Sequence, residues 1–201
     1  YATGGYEFNW SWGPSDDATV FYHVDQMHDY FKNTHSYSGM DYQIEAKVHE
    51  GSHYTAGYDI DDDQLKFGTK GGDQYAKCSD VIYHEYSHAV IYKLYGNAIG
   101  YSGEGGAMNE GLPDFFACSF NDDPEYADYI PATARTLNNN YTYNSSKSTH
   151  WNGQVISGAV WKLRDISGIG KSGAEDLVFR ALENDAADEF SELLDEVLKE
   201  D

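Results

Sequence analysis

The pentad His84-Glu85-Tyr86-Ser87-His88 lies inside the run from Ser79 to Tyr95, which Gly96-Asn97 closes. The run reads as a helix over 79–95, with glycine as its stop. Two histidines four apart rise from one helix face, so both imidazoles can reach a single tetrahedral zinc ion while Glu85 points at the water in front of it. The pentad also occurs by chance, and a helical histidine pair can be no more than a solvated face. Support comes from Asn109-Glu110-Gly111-Leu112-Pro113-Asp114, on the next helix. Glu110 can complete a His2Glu donor set and leave a fourth position for water. Asp114, one turn further, can accept the remaining ring N–H of a ligating histidine and fix its tautomer, and Asn109 is grouped with it in this supporting role.

Composition narrows the setting. The chain has 201 residues, with 34 acidic against 13 basic side chains and a net charge of −21. That charge repels phosphate backbones and anionic headgroups, so neither nucleic acid nor a membrane surface is expected as a partner. The 18 Tyr, 9 Phe and 4 Trp must be buried, which excludes a disordered chain. No apolar run is long enough to span a membrane. Residues 1–12 lack the basic start and apolar stretch of a signal peptide, so a leader is either removed or absent. The acidic excess also suits a saline extracellular setting.

Periodicity organises the rest. Val20, Val24, Met27 and Phe31 predict a helix over 17–32, begun by Ser15 and Asp16-Asp17. Alternation at Tyr42, Ile44, Ala46 and Val48 predicts a strand, with two shorter ones at 53–58 and 64–67. Between these, the Asp59–Asp63 stretch reads as a solvated turn rather than a calcium loop, because it is short and has neither a glycine nor a closing glutamate. A helix is expected over 107–120, then a polar connection over 121–149 with Asn138-Asn139-Asn140 its least ordered part. Helices over 155–164, around 177–182 and over 190–198 finish the chain. Strands thus gather in the first half. The expected class is α+β, with an N-terminal part at 1–99, a mainly helical part at 100–201, and a zinc cleft between them in one compact unit.

Taken together, His84-Glu85-x-x-His88 and Gly106-Ala107-x-Asn109-Glu110-x-x-x-Asp114 resemble the thermolysin-like zinc metallopeptidases, the gluzincin group that includes the fungalysins. The resemblance implies a zincin-type fold and a secreted, monomeric endopeptidase acting on peptides or proteins. Tyr101 stands nine residues before Glu110, where the family keeps an oxyanion-stabilising tyrosine. His150-Trp151-Asn152-Gly153 is similar to the motif of the catalytic histidine. Arg135-Thr136-Leu137-Asn138 is similar to the stretch whose arginine holds a substrate carbonyl. By the same resemblance Ala56 and Val81 join Arg135 as substrate-binding residues, with an apolar residue expected after the cleaved bond. Residues 143–149 contain no carboxylate, unlike the family pattern, so His150 has no assigned partner. The chain is also shorter than thermolysin.

The implied mechanism uses Glu85 as general base and proton carrier, with Tyr101 and His150 stabilising the oxyanion. A calcium site is suggested by Asp80, one turn before His84, together with Asn121, Asp122, Asp123, Glu125 and Asp128. Asp80 equally suits a helix start. Cys78 and Cys118 could be a disulfide, buried thiols or metal ligands. A Cys78–Cys118 bridge is the expected pairing, because zinc draws their two helices together. A zinc-containing binding domain without catalysis and a zinc aminopeptidase are the alternative functions.

Overall fold

The computed structural model describes residues 16–96, 99–184 and 187–200. Ser15, residues 1–12 and Asn97, all part of the expectations above, lie outside the described residues.

Helix α1 (Asp16–Thr34) buries Val20, Met27, Tyr30 and Phe31, as its helical spacing predicts. Three short strands follow, β1 (Glu45–Val48), β2 (Ala56–Asp59) and β3 (Gln64–Phe67). They form one sheet in the order β1-β3-β2, with β1 parallel and β2 antiparallel to β3. β3 drives Leu65 and Phe67 into the core, so the period-2 pattern sets which sheet face is covered. β1 is shorter than expected, since Tyr42 and Ile44 precede it. The Asp59–Asp63 turn is as predicted. Asp59 Oδ1 accepts from the backbone of Asp61 and Asp62, and Asp63 takes Tyr58 Oη at 2.7 Å and Lys93 Nζ at 2.9 Å.

Helix α2 (Ser79–Tyr95) ends at Gly96, whose φ of 62° needs no Cβ. It packs against α1, β2 and the next helix. Burial on several sides covers even His84 and Glu85, which are 3% and 7% exposed. Helix α3 (Gly103–Asn121) starts four residues earlier than expected, in a glycine-rich stretch where helix is intrinsically costly. Packing overrides propensity here. Gly111 lies directly against the Gly153 backbone and Ile156 on helix α4 (Thr149–Trp161), and a Cβ on Gly153 would stand 3.0 Å from Gly111 N. Two facing glycines let the backbones of α3 and α4 touch, which sets Glu110 beside His150.

The second half is not purely helical. Strands β4 (Glu125–Tyr126) and β5 (Arg135–Thr136) pair antiparallel inside the expected polar connection. The asparagine run is ordered as well: Asn139 is buried, and its Nδ2 donates to the carbonyls of Thr136 at 2.7 Å and Gln154 at 2.9 Å. Helices α5 (Gly170–Asn184) and α6 (Phe190–Glu200) complete the fold, burying Val178, Phe179, Leu182, Leu193 and Val197. The α+β class stands. No helix among the described residues is long and apolar enough to cross a membrane.

Candidate metal centre and cleft

The α2 helix repeat brings His84 Nε2 and His88 Nε2 to 3.0 Å from each other. From α3, Glu110 Oε2 comes within 3.5 Å of His84 Nε2 and 3.9 Å of His88 Nε2. Donors about 2.0–2.1 Å from one tetrahedral ion would be separated by roughly 3.3 Å, and the three distances bracket that value. Glu85 also lies close enough to the two histidines to form a ligating group with them. The spread of the His84–His88–Glu110 set, together with the place of Glu85 beside the first histidine, favours Glu110 as the third ligand. Glu110 Oε2 is buried and takes no well-aligned hydrogen bond among the described residues. Buried acceptors are seldom left so, and of the three imidazoles that approach this one, the helix pair His84 and His88 makes with it a donor set that fits a divalent cation, with His150 Nε2 at 3.1 Å beside it.

The charges agree. Burial alone would lower the His84 pKa, but the carboxylates of Asp114 and Glu110 outweigh it and hold the imidazole up at about 9. Burial and the neighbouring His84 push His88 down to about 4. For Glu110, His84 and His88 overcome burial and bring the carboxyl down to about 2. Burial raises Glu85 to about 7, helped by Glu110 and opposed by His84. A carboxyl near neutrality can both take up and release a proton, which general acid–base work requires.

Behind the histidines stands a second layer of charge. His84 Nδ1 lies 2.8 Å from Asp114 Oδ1. Asp114 is fully buried and receives Arg135 Nε at 2.7 Å and Nη2 at 2.6 Å. The β4–β5 ladder places Arg135 opposite Tyr126, and its guanidinium stacks over that ring at 4.2 Å. Asp114 is held well below the usual carboxylate range, because Arg135 and His84 outweigh its burial. Arg135, expected to hold a substrate carbonyl, is therefore committed to Asp114, with Nη1 given to the Thr133 carbonyl. A partner for Asp114 could have been sought from sequence, since a carboxylate in the apolar run Leu112–Ala117 needs a cation and Arg135 is the only Lys or Arg between Lys93 and Lys147.

The cleft runs past this centre in two hollows. One is lined by Tyr58, Ile91, Tyr101, Asn109, Glu110 and His150, the other by Val81, Tyr126, Arg135, Trp151 and Gln154. Ala56 and Glu85 line both. His150 falls within the first turn of α4, capped by Ser148, rather than ahead of the helix, and its Nε2 lies 3.1 Å from Glu110 Oε2. Tyr101 is 61% exposed at the rim. Sequence reasoning missed Tyr126 and Gln154, which carry no motif of their own, and gave Trp151, beside His150 in its motif, no role.

Two expectations find no support in the structure. Cys78 and Cys118 are both buried free thiols, and no bridge joins them. Each is shielded within the core, where burial raises the thiol pKa. The suggested calcium group is dispersed into other contacts. Asp80 accepts from Asn121 Nδ2 and from Ala127 N at 2.7 Å, Asp122 pairs with Arg164, and Glu125 Oε1 accepts from Thr136 Oγ1 at 2.7 Å. Asp123 Oδ1 accepts from the Glu125 backbone. Among the described residues, the one cluster that could hold a metal is that of His84, Glu85 and His88.

Residues 6–92 match the family of thermolysin metallopeptidase catalytic domains. The match includes both histidines and stops short of Tyr101, Glu110 and His150. Bacillolysin of Brevibacillus brevis is 32% identical over 120 residues, covering 57% of this chain and 22% of the relative. Thermolysin of Alicyclobacillus acidocaldarius subsp. acidocaldarius is 34% identical over 101 residues, 47% of this chain and 18% of the relative. The chain thus matches about a fifth of the length of these relatives. The fold is shared with the precursor of protealysin, a metalloproteinase from Serratia proteamaculans, at a TM-score of 0.76 and 17% identity, over 96% of this chain and 74% of that one. The chain is thermolysin-like in sequence and fold.

Proposed function

We propose that this thermolysin-like chain is a secreted, zinc-dependent endopeptidase whose parts at 1–99 and 100–201 act as one catalytic unit on peptide or protein substrates. The observation that carries the proposal is the meeting of His84, His88 and Glu110 at ligand distances beside a buried Glu85. When bound by His84, His88 and Glu110, zinc supplies Lewis acidity and lowers the pKa of water to about 7.

The chain's own residues do the remaining work. Strand β2 is an edge of its sheet, and Ala56 faces the cleft, so an extended peptide can lie along it by backbone pairing. Glu85 takes the proton of the attacking water and passes it to the departing nitrogen. Tyr101 and His150, both lining the hollow with Glu85, donate to the carbonyl oxygen as it becomes negative. Asp114, steadied by Arg135, keeps the His84 proton on Nδ1 and leaves Nε2 free to ligate.

The test is Glu85→Gln, assayed on a peptide library with and without a zinc chelator. The variant is expected to keep one zinc per chain and the wild-type fold while losing at least about 10²-fold in turnover. More than about a tenth of wild-type activity would remove Glu85 from this role, and chelator-resistant cleavage would remove zinc.

A further inference from the structure

The two hollows that flank Glu85 differ in charge. The hollow containing Tyr101 is walled by side chains such as Ile60, Ile91 and Tyr92, with no lysine or arginine among the described residues lining it. The opposite hollow carries Lys70 and Arg135, and among its described lining residues the sole carboxylate is Glu85. A chain with 13 basic against 34 acidic residues has few cations to place, and two share this one wall.

They are not equivalent. Arg135 is neutralised by Asp114 and holds Thr133 as well. Lys70 is exposed, and its ammonium has no ion-pair partner among the described residues. Its backbone is nevertheless held in place. Lys70 N donates to the Tyr54 carbonyl at 3.0 Å, and Gly72 N closes the turn onto Thr69 O at 3.0 Å. Gly71 and Gly72, at φ 73° and 90°, allow the backbone to turn sharply just after it. The turn thus presents an uncommitted cation to the hollow beside Gln154, where the walls would otherwise suit an apolar side chain against Val81.

We propose that Lys70 is a specificity-determining residue that binds a substrate carboxylate on the Arg135 side of the scissile bond, so that an acidic residue is preferred there. The inference rests on the endopeptidase reading and departs from the apolar preference that the family resemblance implies. An exposed ion pair of this kind favours a carboxylate over its amide by roughly fivefold.

The experiment uses the zinc-loaded chain and C-terminally amidated peptides that differ only in Glu, Gln, Leu or Lys at one of two positions on either side of the cleaved bond. Glu is expected to exceed Gln in kcat/KM about fivefold on one side only. Lys70→Ala should erase that ratio without slowing the Gln peptide, and Lys70→Glu should favour the Lys peptide instead. A second Leu series with a free C-terminus distinguishes a chain-end carboxylate from a side-chain one. A Glu-to-Gln ratio that is unchanged by both Lys70 variants would overturn the proposal. If no peptide is cleaved, the endopeptidase reading fails. Fluorescence anisotropy of the same peptides on zinc-loaded Glu85→Gln then still decides, because a Lys70-dependent Glu preference in binding supports the carboxylate site and its absence rejects it.

Discussion

Arg135 grips Asp114 through two hydrogen bonds of 2.6 and 2.7 Å, and Asp114 in turn stands 2.8 Å from His84 Nδ1. Arg135, expected to hold a substrate carbonyl, lines the cleft and also braces the candidate metal centre from behind. Removing one partner of a buried pair leaves an uncompensated charge, at a cost of about 3–5 kcal/mol. Arg135→Met is expected to lose stability on that scale in urea unfolding. Asp114→Asn should weaken zinc about 10–100-fold in a chelator competition, because the histidine tautomer is no longer fixed. Wild-type zinc affinity in Asp114→Asn would show that the contact is incidental.

Gly111 and Gly153 bring α3 and α4 into backbone contact. A methyl group on Gly111 would run into the Gly153 carbonyl and Ile156, which must shift to admit it. Gly111→Ala is expected to destabilise the fold by about 1–3 kcal/mol in denaturant and to move Glu110 relative to His150. Gly72→Ala, where no atom lies within 4 Å, tests backbone strain instead of crowding and should leave zinc affinity unchanged.

His35 stacks on Phe179 at 4.5 Å, and both its ring nitrogens are buried without a hydrogen bond. Burial lowers its pKa to about 4 from 6.5, with Asp176 opposing only in part. The unfolded chain then binds the proton more tightly than the folded one, so stability falls as pH drops from about 6.5 to 4, by up to about 3 kcal/mol. Glu175, raised by burial, acts in the opposite sense. The measurement is therefore a comparison of urea midpoints across that window, in which His35→Phe should flatten the slope relative to wild type. An identical slope would exclude His35 as its source.

Cys78 and Cys118 are expected to stay thiols in the folded protein. Both should be unreactive to a thiol reagent under native conditions and react in full in denaturant. Reductant should leave the unfolding midpoint unchanged. A mass two units below the reduced chain would show a bridge.

Much of this protein could be read from residue spacing. The 3.6-residue repeat put His84 and His88 on one face, because local helix geometry depends on near neighbours alone, and the Asn109–Asp114 motif named Glu110 and Asp114 as candidates for a third ligand and its support. The class and most element positions followed for the same reason. Long-range matters were different. The β4–β5 ladder that carries Arg135 to Asp114, the burial of Asn139 and the separate burial of the two thiols depend on partners that are 15 or more residues away in sequence. So does the charge of each cleft wall, since Lys70 and Arg135 meet there only after folding. By itself the sequence named the candidate ligands and the chemistry that such donors allow. Tertiary structure decided which charges are already neutralised and which remain to meet a substrate, because pairing between distant side chains is set by packing and leaves no period in the chain.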